Sequence, residues 1–241
     1  MAQKGLSVVI PVYNEEKDLP KNIPILNSFL TKEAALYDWE IVIADNASVD
    51  NTPEVARKLT ENPRIKYFRL EQKGRGRALK KVWNASNREI LAYMDVDLSS
   101  DLAFFPKLIE VINQGADIAI GSRLAKGAKV YGRPFIREVM SRGYSLLFRS
   151  LFQTKFQDAQ CGFKVITKEA WKKLNPLIKD TKWFFDTELL IIAQKTGLKI
   201  TEVPIIWWDD PASTVKVAKT AWGDIKGLIR LLRTKPWKKL K

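Results

Sequence analysis

Five short runs of β-branched and aliphatic residues, each followed by a helical stretch, constrain this chain more than any other feature. They are LSVVIPV (6–12), WEIVIAD (39–45), RIKYFRL (64–70), EILAYMD (89–95) and DIAIGS (117–122). Strands that are apolar on both faces must be covered on both faces, and helical crossovers make neighbouring strands parallel. The pattern therefore predicts an α/β protein with a mostly parallel sheet flanked by helices. Helices are expected from about Leu19 to Leu36 with Asp18 as cap, from the Asp50-Asn51-Thr52-Pro53 start to about Thr60, over 77–86, and from the Asp101 cap to about Asn113. Ligands of such sheets bind beyond the carboxyl ends of the strands. Those ends carry Pro11 to Glu15, Asp45 to Asp50, Asp95-Val96-Asp97 and Gly121-Ser122-Arg123, a set rich in carboxylates.

The second half is less regular. Residues 134–152 read as a helix opened by Pro134, 162–167 as a strand, and 183–197 as a helix stopped by Gly197. Residues 199–207 read as a strand whose proline suits a sheet edge. Beyond them, Val217, Ala221, Ile225, Leu228, Ile229 and Leu232 fall at helical spacing among lysines. The domain reading is one unit over 1–213, divided into a first half (1–122) and a second half (123–213), followed by a basic amphipathic segment over 214–241.

Composition removes whole classes of chemistry. The 241 residues contain no histidine and one cysteine, Cys161, which reads as a buried small residue. Imidazole bases, Ser-His-Asp sites, cysteine zinc sites and disulfide frameworks are excluded. Carboxylates, cations, a metal or the substrate's own groups remain. The net charge of +14 is unevenly placed. Residues 123–155 hold eight Lys or Arg against Glu138, and residues 216–241 hold nine against Asp224, while the rest is close to neutral. Such segments suit phosphates of a nucleic acid, an anionic membrane or a phosphorylated substrate. The N-terminus does not read as a signal peptide and no spanning helix is expected, so the expected location is cytoplasmic.

Asp95 and Asp97 are the sharpest chemical feature. Two carboxylates two residues apart at a strand end can converge on one hard cation, Mg²⁺ or Mn²⁺, which would neutralise a diphosphate. The structural alternative is an exposed turn leading into the Asp101 cap. The companions matter: Pro11-x-Tyr13-Asn14-Glu15, Asp45-x-x-Ser48-x-Asp50-x-Thr52, Gly74-x-Gly76-x-x-Leu79 and Asp95-x-Asp97. Taken together over residues 6–213, this set resembles the family 2 glycosyltransferases with the Rossmann-like GT-A fold. The resemblance implies nucleotide-sugar contacts from Pro11, Tyr13, Glu15, Asp45, Lys73, Gly74, Arg75 and Asp95-Val96-Asp97. It also implies that Asp95 and Asp97 hold the metal.

Gly121-Ser122-Arg123, Arg137-x-x-x-Ser141 and Asp158-Ala-Gln-Cys-Gly-Phe163-Lys164 resemble the branch that transfers a hexose to dolichyl or another polyprenyl phosphate. That resemblance implies lipid-phosphate contacts at Arg123, Arg137 and Ser141, and catalytic roles for Asp95, Asp97, Arg123 and Asp158. The 158–164 segment looks most like the dolichyl-phosphate glucosyltransferases, so UDP-glucose is the favoured donor and GDP-mannose the next. Mannosyl relatives often carry Gln where this chain has Ser99, which weakens a mannose assignment and leaves the third metal ligand open, with Ser99 the candidate.

The chemistry fits the resemblance. A phosphate monoester has a second pKa of about 6 and needs no base to become a nucleophile. It needs cations, and arginine can hold phosphate bidentately. A hydroxyl acceptor would instead need a carboxylate base such as Asp158. Glu188 lies where relatives carry an acceptor-side carboxylate, with a helix cap as the plain alternative. The basic segments, including Trp222 and Trp237, are expected to lie on a membrane surface as amphipathic helices on the acceptor side, or else to pack on the protein body. Nucleic-acid binding lacks any supporting motif.

Overall fold

The computed structural model describes residues 3–209 and 217–240. Its strands are β1 (Lys4–Val12), β2 (Tyr37–Asp45), β3 (Ile65–Arg69), β4 (Ile90–Met94), β5 (Ile118–Ser122), β6 (Lys129–Tyr131), β7 (Phe163–Thr167), β8 (Ile200–Pro204) and β9 (Ile206–Trp208). The helices are α1 (Leu19–Glu33), α2 (Thr52–Leu59), α3 (Arg75–Ala85), α4 (Phe105–Asn113), α5 (Phe135–Phe152), α6 (Lys168–Leu174), α7 (Phe185–Lys195) and α8 (Val217–Thr234). The 213/214 boundary expected between the two units lies outside the described residues.

Seven strands form one sheet in the order β3-β2-β1-β4-β7-β5-β8. All neighbouring pairs are parallel except those of β7, which runs antiparallel to both β4 and β5. The expected α/β class and mostly parallel sheet are therefore observed. Alternate residues of β1 feed two cores on opposite faces. Val9 joins Trp83, Tyr93, Trp171 and Phe185, whereas Val8 and Ile10 join Phe105 and Leu108. A sheet covered on both faces explains why these strands carry continuous apolar runs.

Three details differ from the sequence reading. Strand 162–167, read only as a strand of the second half, wedges between β4 and β5 near the middle of the sheet, so the two halves share one sheet. The proline strand is at the edge as expected, but it breaks after Pro204. Its continuation, β9, pairs with β6 in a separate two-stranded sheet. Asp18 makes no side-chain cap to α1, whereas Asp50 Oδ1 accepts from Thr52 N at 3.0 Å and Asp101 Oδ1 from Ala103 N at 2.9 Å. Gly197, at φ +81°, does end α7, since the left-handed turn costs glycine no Cβ clash.

Candidate active site

The antiparallel β7 decides which residues meet. In a parallel strand the carboxyl end faces the ligand edge; in β7 the amino end does. The segment Gln157–Gly162, just before β7, therefore reaches the carboxyl ends of β4 and β5. There it lies beside Asp95 and Arg123. β8 is parallel to β5, so the chain leaving it brings Trp207 and Asp209 to the same edge.

On the first-half side, the loops after β1 and β2 are laced together. Asn14 N donates to Ser48 Oγ (3.0 Å), Glu15 N to Thr52 Oγ1 (2.7 Å) and Val49 N to Asn14 Oδ1 (3.0 Å). Asp45 is fully buried and accepts from Ser48 N (2.8 Å), Tyr67 Oη (2.7 Å) and Arg69 Nη1 (3.2 Å). Its carboxylate is held rigidly beneath the loop. Pro11 pairs beside Ala44, one residue before β1 ends at Val12 opposite Asp45, and Val96 O accepts from Asn22 Nδ2 at 2.9 Å. Lys73 hydrogen-bonds Tyr13 and lies 3.8 Å from its ring centroid. Burial, then the negative charges of Asp18, Asp97 and Asp50, push the Glu15 carboxyl up to about 7. These carboxylates repel one another, and a cation would relieve them.

Gly74 and Gly76 serve packing. A Cβ at Gly74 would lie 2.3 Å from Thr181 O, and one at Gly76 would lie 2.6 Å from Phe185 Cβ. The first amides of α3 are already used: Gly76 N donates to Lys182 O (3.3 Å) and Arg77 N to Thr181 O (3.0 Å). The backbone here is not a free phosphate cradle.

Asp95 and Asp97 follow β4 directly. Asp97 is exposed, and its Oδ1 accepts from Ser99 N at 3.0 Å. Ser99 thus meets Asp97 through its backbone, and its carbonyl accepts from Trp208 N at 2.9 Å. Asp95 Oδ1 lies 2.7 Å from Arg75 Nη2. Among the described residues no group of three potential metal-binding side chains is assembled. Two carboxylates at the open end of a strand still suit a hard cation that completes its shell with water and phosphate oxygens. Beneath them Lys164, almost fully buried, donates to Asp186 (2.9 Å), Tyr93 Oη (3.0 Å) and the Cys161 carbonyl. Tyr93 in turn donates to Asp186. Lys164 therefore supports the floor of the site, a role sequence reading missed because its partner lies on α7.

On the second-half side, Arg123 clasps Asp158. Arg123 N and Nε donate to Oδ2 at 2.9 and 2.8 Å, and Nη2 to Oδ1 at 2.9 Å. Burial alone would raise the Asp158 pKa. Arg123 and its hydrogen bonds outweigh that and hold the carboxyl at about 2. A base works best near the operating pH, so Asp158 is fitted to position Arg123 rather than to remove a proton. Glu202 braces the same segment by accepting from Gln157 N and Asp158 N, each at 3.0 Å.

Arg137 and Ser141 do not meet each other; each is held by a different partner. Arg137 pairs with Asp209 at 2.9 Å, and Ser141 Oγ accepts from Arg133 Nη2. Arg133 is the residue the motifs did not single out. It pairs with Glu138 (2.9 Å), and both Arg133 and Arg123 lie over the Trp207 ring, at 5.7 and 5.4 Å from its centroid. Burial, then repulsion from Arg123, lowers the Arg133 pKa, and its Nε has no hydrogen-bond partner among the described residues. Its signal in the sequence was only its membership of the basic run before Pro134. Glu188 is buried and fully engaged within the protein. It accepts from Lys179 N (3.2 Å) and Asp180 N (2.6 Å) and pairs with Arg230 of α8 (3.1 Å). Cys161 is fully buried as expected, and burial pushes its thiol up to about 11.

Comparison with known proteins gives this arrangement a context. The family model described as "Glycosyl transferase family 2" matches residues 7–174. The glycosyltransferase AglD of Haloferax volcanii is 35% identical over 237 residues, 95% of this chain and 36% of that protein. The dolichyl-phosphate beta-glucosyltransferase of Saccharomyces cerevisiae is 32% identical over 88% of this chain and 70% of its own length. The dolichol-phosphate mannosyltransferase of Pyrococcus furiosus is 30% identical over 95% of this chain and 64% of its own. The chain thus spans about a third of the first of these relatives and about two thirds of the others. Among solved structures, glucosyl-3-phosphoglycerate synthase of Mycobacterium tuberculosis, in complex with Mn²⁺, UDP and phosphoglyceric acid, aligns over 97% of this chain and 78% of its own. The TM-score is 0.69 at 16% identity, a likeness of fold.

Proposed function

The chain is a glycosyltransferase of family 2 with the GT-A fold, and from that premise we propose that it moves a hexose from a nucleotide sugar to a polyprenyl or dolichyl phosphate at a membrane surface. The observation that carries this reading is the buried arginine pair around Trp207. Arg133 offers an unsatisfied Nε there, beside Arg123, across the strand ends from Asp95 and Asp97. One end of the site attracts cations and the other attracts a dianion.

In this reading Asp95 and Asp97 hold Mg²⁺ or Mn²⁺, with Ser99 contributing only through its turn. Bound there, the ion supplies charge neutralisation of the departing diphosphate. The loop of Pro11, Tyr13 and Glu15, with Asp45 below it and Lys73 beside it, receives the nucleoside. Arg123, Arg133, Arg137 and Ser141 orient the acceptor phosphate. One phosphate oxygen forms the bond to the anomeric carbon as the bond to the diphosphate breaks, which inverts that centre. No proton has to be removed, consistent with the absence of histidine and the strongly acidic Asp158. The names of the relatives support a glucose or mannose donor, and the yeast glucosyltransferase together with the UDP-bound structural neighbour favours UDP-glucose over GDP-mannose.

The surface of α5 supports docking on a membrane. The helix buries Ser145, Phe148 and Phe152, while Phe135 (82% exposed), Ile136, Val139, Met140, Leu146, Leu147 and Leu151 face outward. A fully buried large apolar side chain stabilises a fold by about 1.5–3 kcal/mol. The outward residues contribute little of that, so their presence fits a lipid surface reached from beside Arg133 and Arg137. On α8, Trp222 and Ile229 are exposed. Trp237 is different: it is partly buried and packs edge-on against Phe152. No helix among the described residues is long and apolar enough to cross a membrane.

A transfer assay tests the reading. The protein, a divalent ion and a short polyprenyl phosphate are incubated separately with UDP-glucose, GDP-mannose and other donors. Mass spectrometry should detect hexosyl-phosphate lipid from one donor and none with Asp97→Ala. Donor hydrolysis without lipid product would move the acceptor to a hydroxyl compound.

A further inference from the structure

Arg75 is the residue whose surroundings the proposed reaction leaves unexplained. It opens α3, and its side chain is 11% exposed. Its guanidinium lies between two rings, 5.1 Å from the Tyr93 centroid and 5.3 Å from that of Trp183. Tyr93 is itself fixed by Lys164 and Asp186, so the inner face of this slot is rigid. Nη2 touches Asp95 Oδ1 at 2.7 Å without the alignment of a directed hydrogen bond, and neither Nε nor Nη2 has a hydrogen-bond partner among the described residues.

Gly162 shows that the chain makes room for this pair. A Cβ there would lie 1.9 Å from Asp95 Oδ2 and 2.6 Å from Arg75 Nη2. Its backbone does not require glycine, since its φ lies outside the left-handed range. Space for the ion pair is what the position demands.

A guanidinium against one of two cation-binding carboxylates is a resident counter-ion. It competes with any divalent ion for Asp95 and repels it. A diphosphate reverses the balance: it supplies acceptors for the unsatisfied N–H groups and draws the guanidinium off the carboxylate. We infer that Arg75 couples the two ligands of the donor site, opposing a divalent ion that arrives alone and favouring it when a nucleoside diphosphate is present. The inference rests on the assignment of the metal to Asp95 and Asp97. Coupling of this kind is reciprocal, so the ion must tighten the diphosphate by the same factor.

The test measures binding, not turnover. Mn²⁺ held by the full chain is read by equilibrium dialysis, alone and with saturating UDP or GDP on both sides of the membrane, so that the Mn²⁺–nucleotide complex formed without protein cancels. The wild type should bind Mn²⁺ about tenfold or more tightly with the nucleotide than without. Arg75→Gln should bind Mn²⁺ alone about tenfold more tightly than the wild type, because a positive charge beside Asp95 is gone. It should bind Mn²⁺ with nucleotide more weakly, so the coupling shrinks. Arg75→Lys keeps a charge but only a point donor, and should hold the weak metal-alone affinity while losing part of the coupling. Independent binding of Mn²⁺ and nucleotide in the wild type overturns the inference without recourse to any variant. So does weaker Mn²⁺ binding by Arg75→Gln in both conditions, the pattern of simple structural damage. If wild type and Asp97→Ala bind Mn²⁺ alike with either nucleotide, the metal assignment itself fails, and the inference with it.

Discussion

The two ends of the site solve opposite electrostatic problems. After β1, β2 and β4, carboxylates stand close to one another, and Glu15 is driven up to about 7 by burial and by Asp18, Asp97 and Asp50. Before β7 and along α5, each carboxylate has an arginine: Asp158 with Arg123, Glu138 with Arg133, Asp209 with Arg137. One region crowds carboxylates of which, among the described residues, only Asp45, with Arg69, and Asp95, with Arg75, have a cationic partner. The other is a scaffold of partly buried ion pairs that gathers three guanidinium groups. Breaking a buried pair leaves an uncompensated charge, so the second region resists rearrangement and the first invites a ligand. In the proposed reading, a nucleotide sugar with its ion and a phosphate acceptor would be the two guests of these ends.

Breaking the acidic end should have the largest effect. Asp97→Ala leaves a lone carboxylate that is already shared with Arg75, and transfer should fall by about 10²–10³-fold or more. Titration of activity against Mg²⁺ or Mn²⁺ would check it; undiminished activity in metal-free buffer would remove the metal from the reading. The basic end should respond next. Arg133→Gln should lower kcat/KM for the lipid phosphate by about 10–100-fold, as loss of a charge-assisted contact implies, while nucleotide affinity stays the same. Equal loss of nucleotide affinity would show that the two ends are one site and not a contrasting pair.

The smallest effect concerns stability. Asp224, on α8, donates no charge to either end. Its Oδ2 accepts from Gln160 Nε2 at 2.8 Å, its Oδ1 is buried without a hydrogen-bond partner among the described residues, and burial pushes its pKa up from 3.8 to about 7. The folded state thus keeps a proton that the unfolded chain has lost. That stability is fully present below pH 4 and disappears as pH rises toward 7. Asp224→Asn should therefore be relatively more stable than wild type at pH 8, with the gap closing by pH 4. Melting curves across that range would check it, and a gap independent of pH would place the effect elsewhere.

The two regions also differed in how far they could be read in advance. The acidic residues sit at the ends of apolar runs, where a parallel sheet puts its ligands, so Asp45, Asp95 and Asp97 were visible as a set. The arginines are local to one stretch, but their partners are not. Arg123 and Asp158 are 35 residues apart, and Arg137 and Asp209 are 72 apart. Arg133 lacked even a motif. Asp158, a reasonable base by its position, lost that role once Arg123 was seen to clasp it. Glu188 has its cationic partner, Arg230, on α8, 42 residues further along the chain.

The amino-acid sequence by itself determined the class of fold, the edge at which the carboxylates gather, the carboxylate pair and the absence of imidazole chemistry. These follow from local periodicity and composition, which depend on near neighbours along the chain. The tertiary structure decided the rest. It set β7 antiparallel between β4 and β5, delivered Gly162 to Asp95, and gave Arg75 its slot between Tyr93 and Trp183. Those outcomes depend on the direction of one strand and on contacts between distant segments, whose energies exist only once the sheet has closed around them.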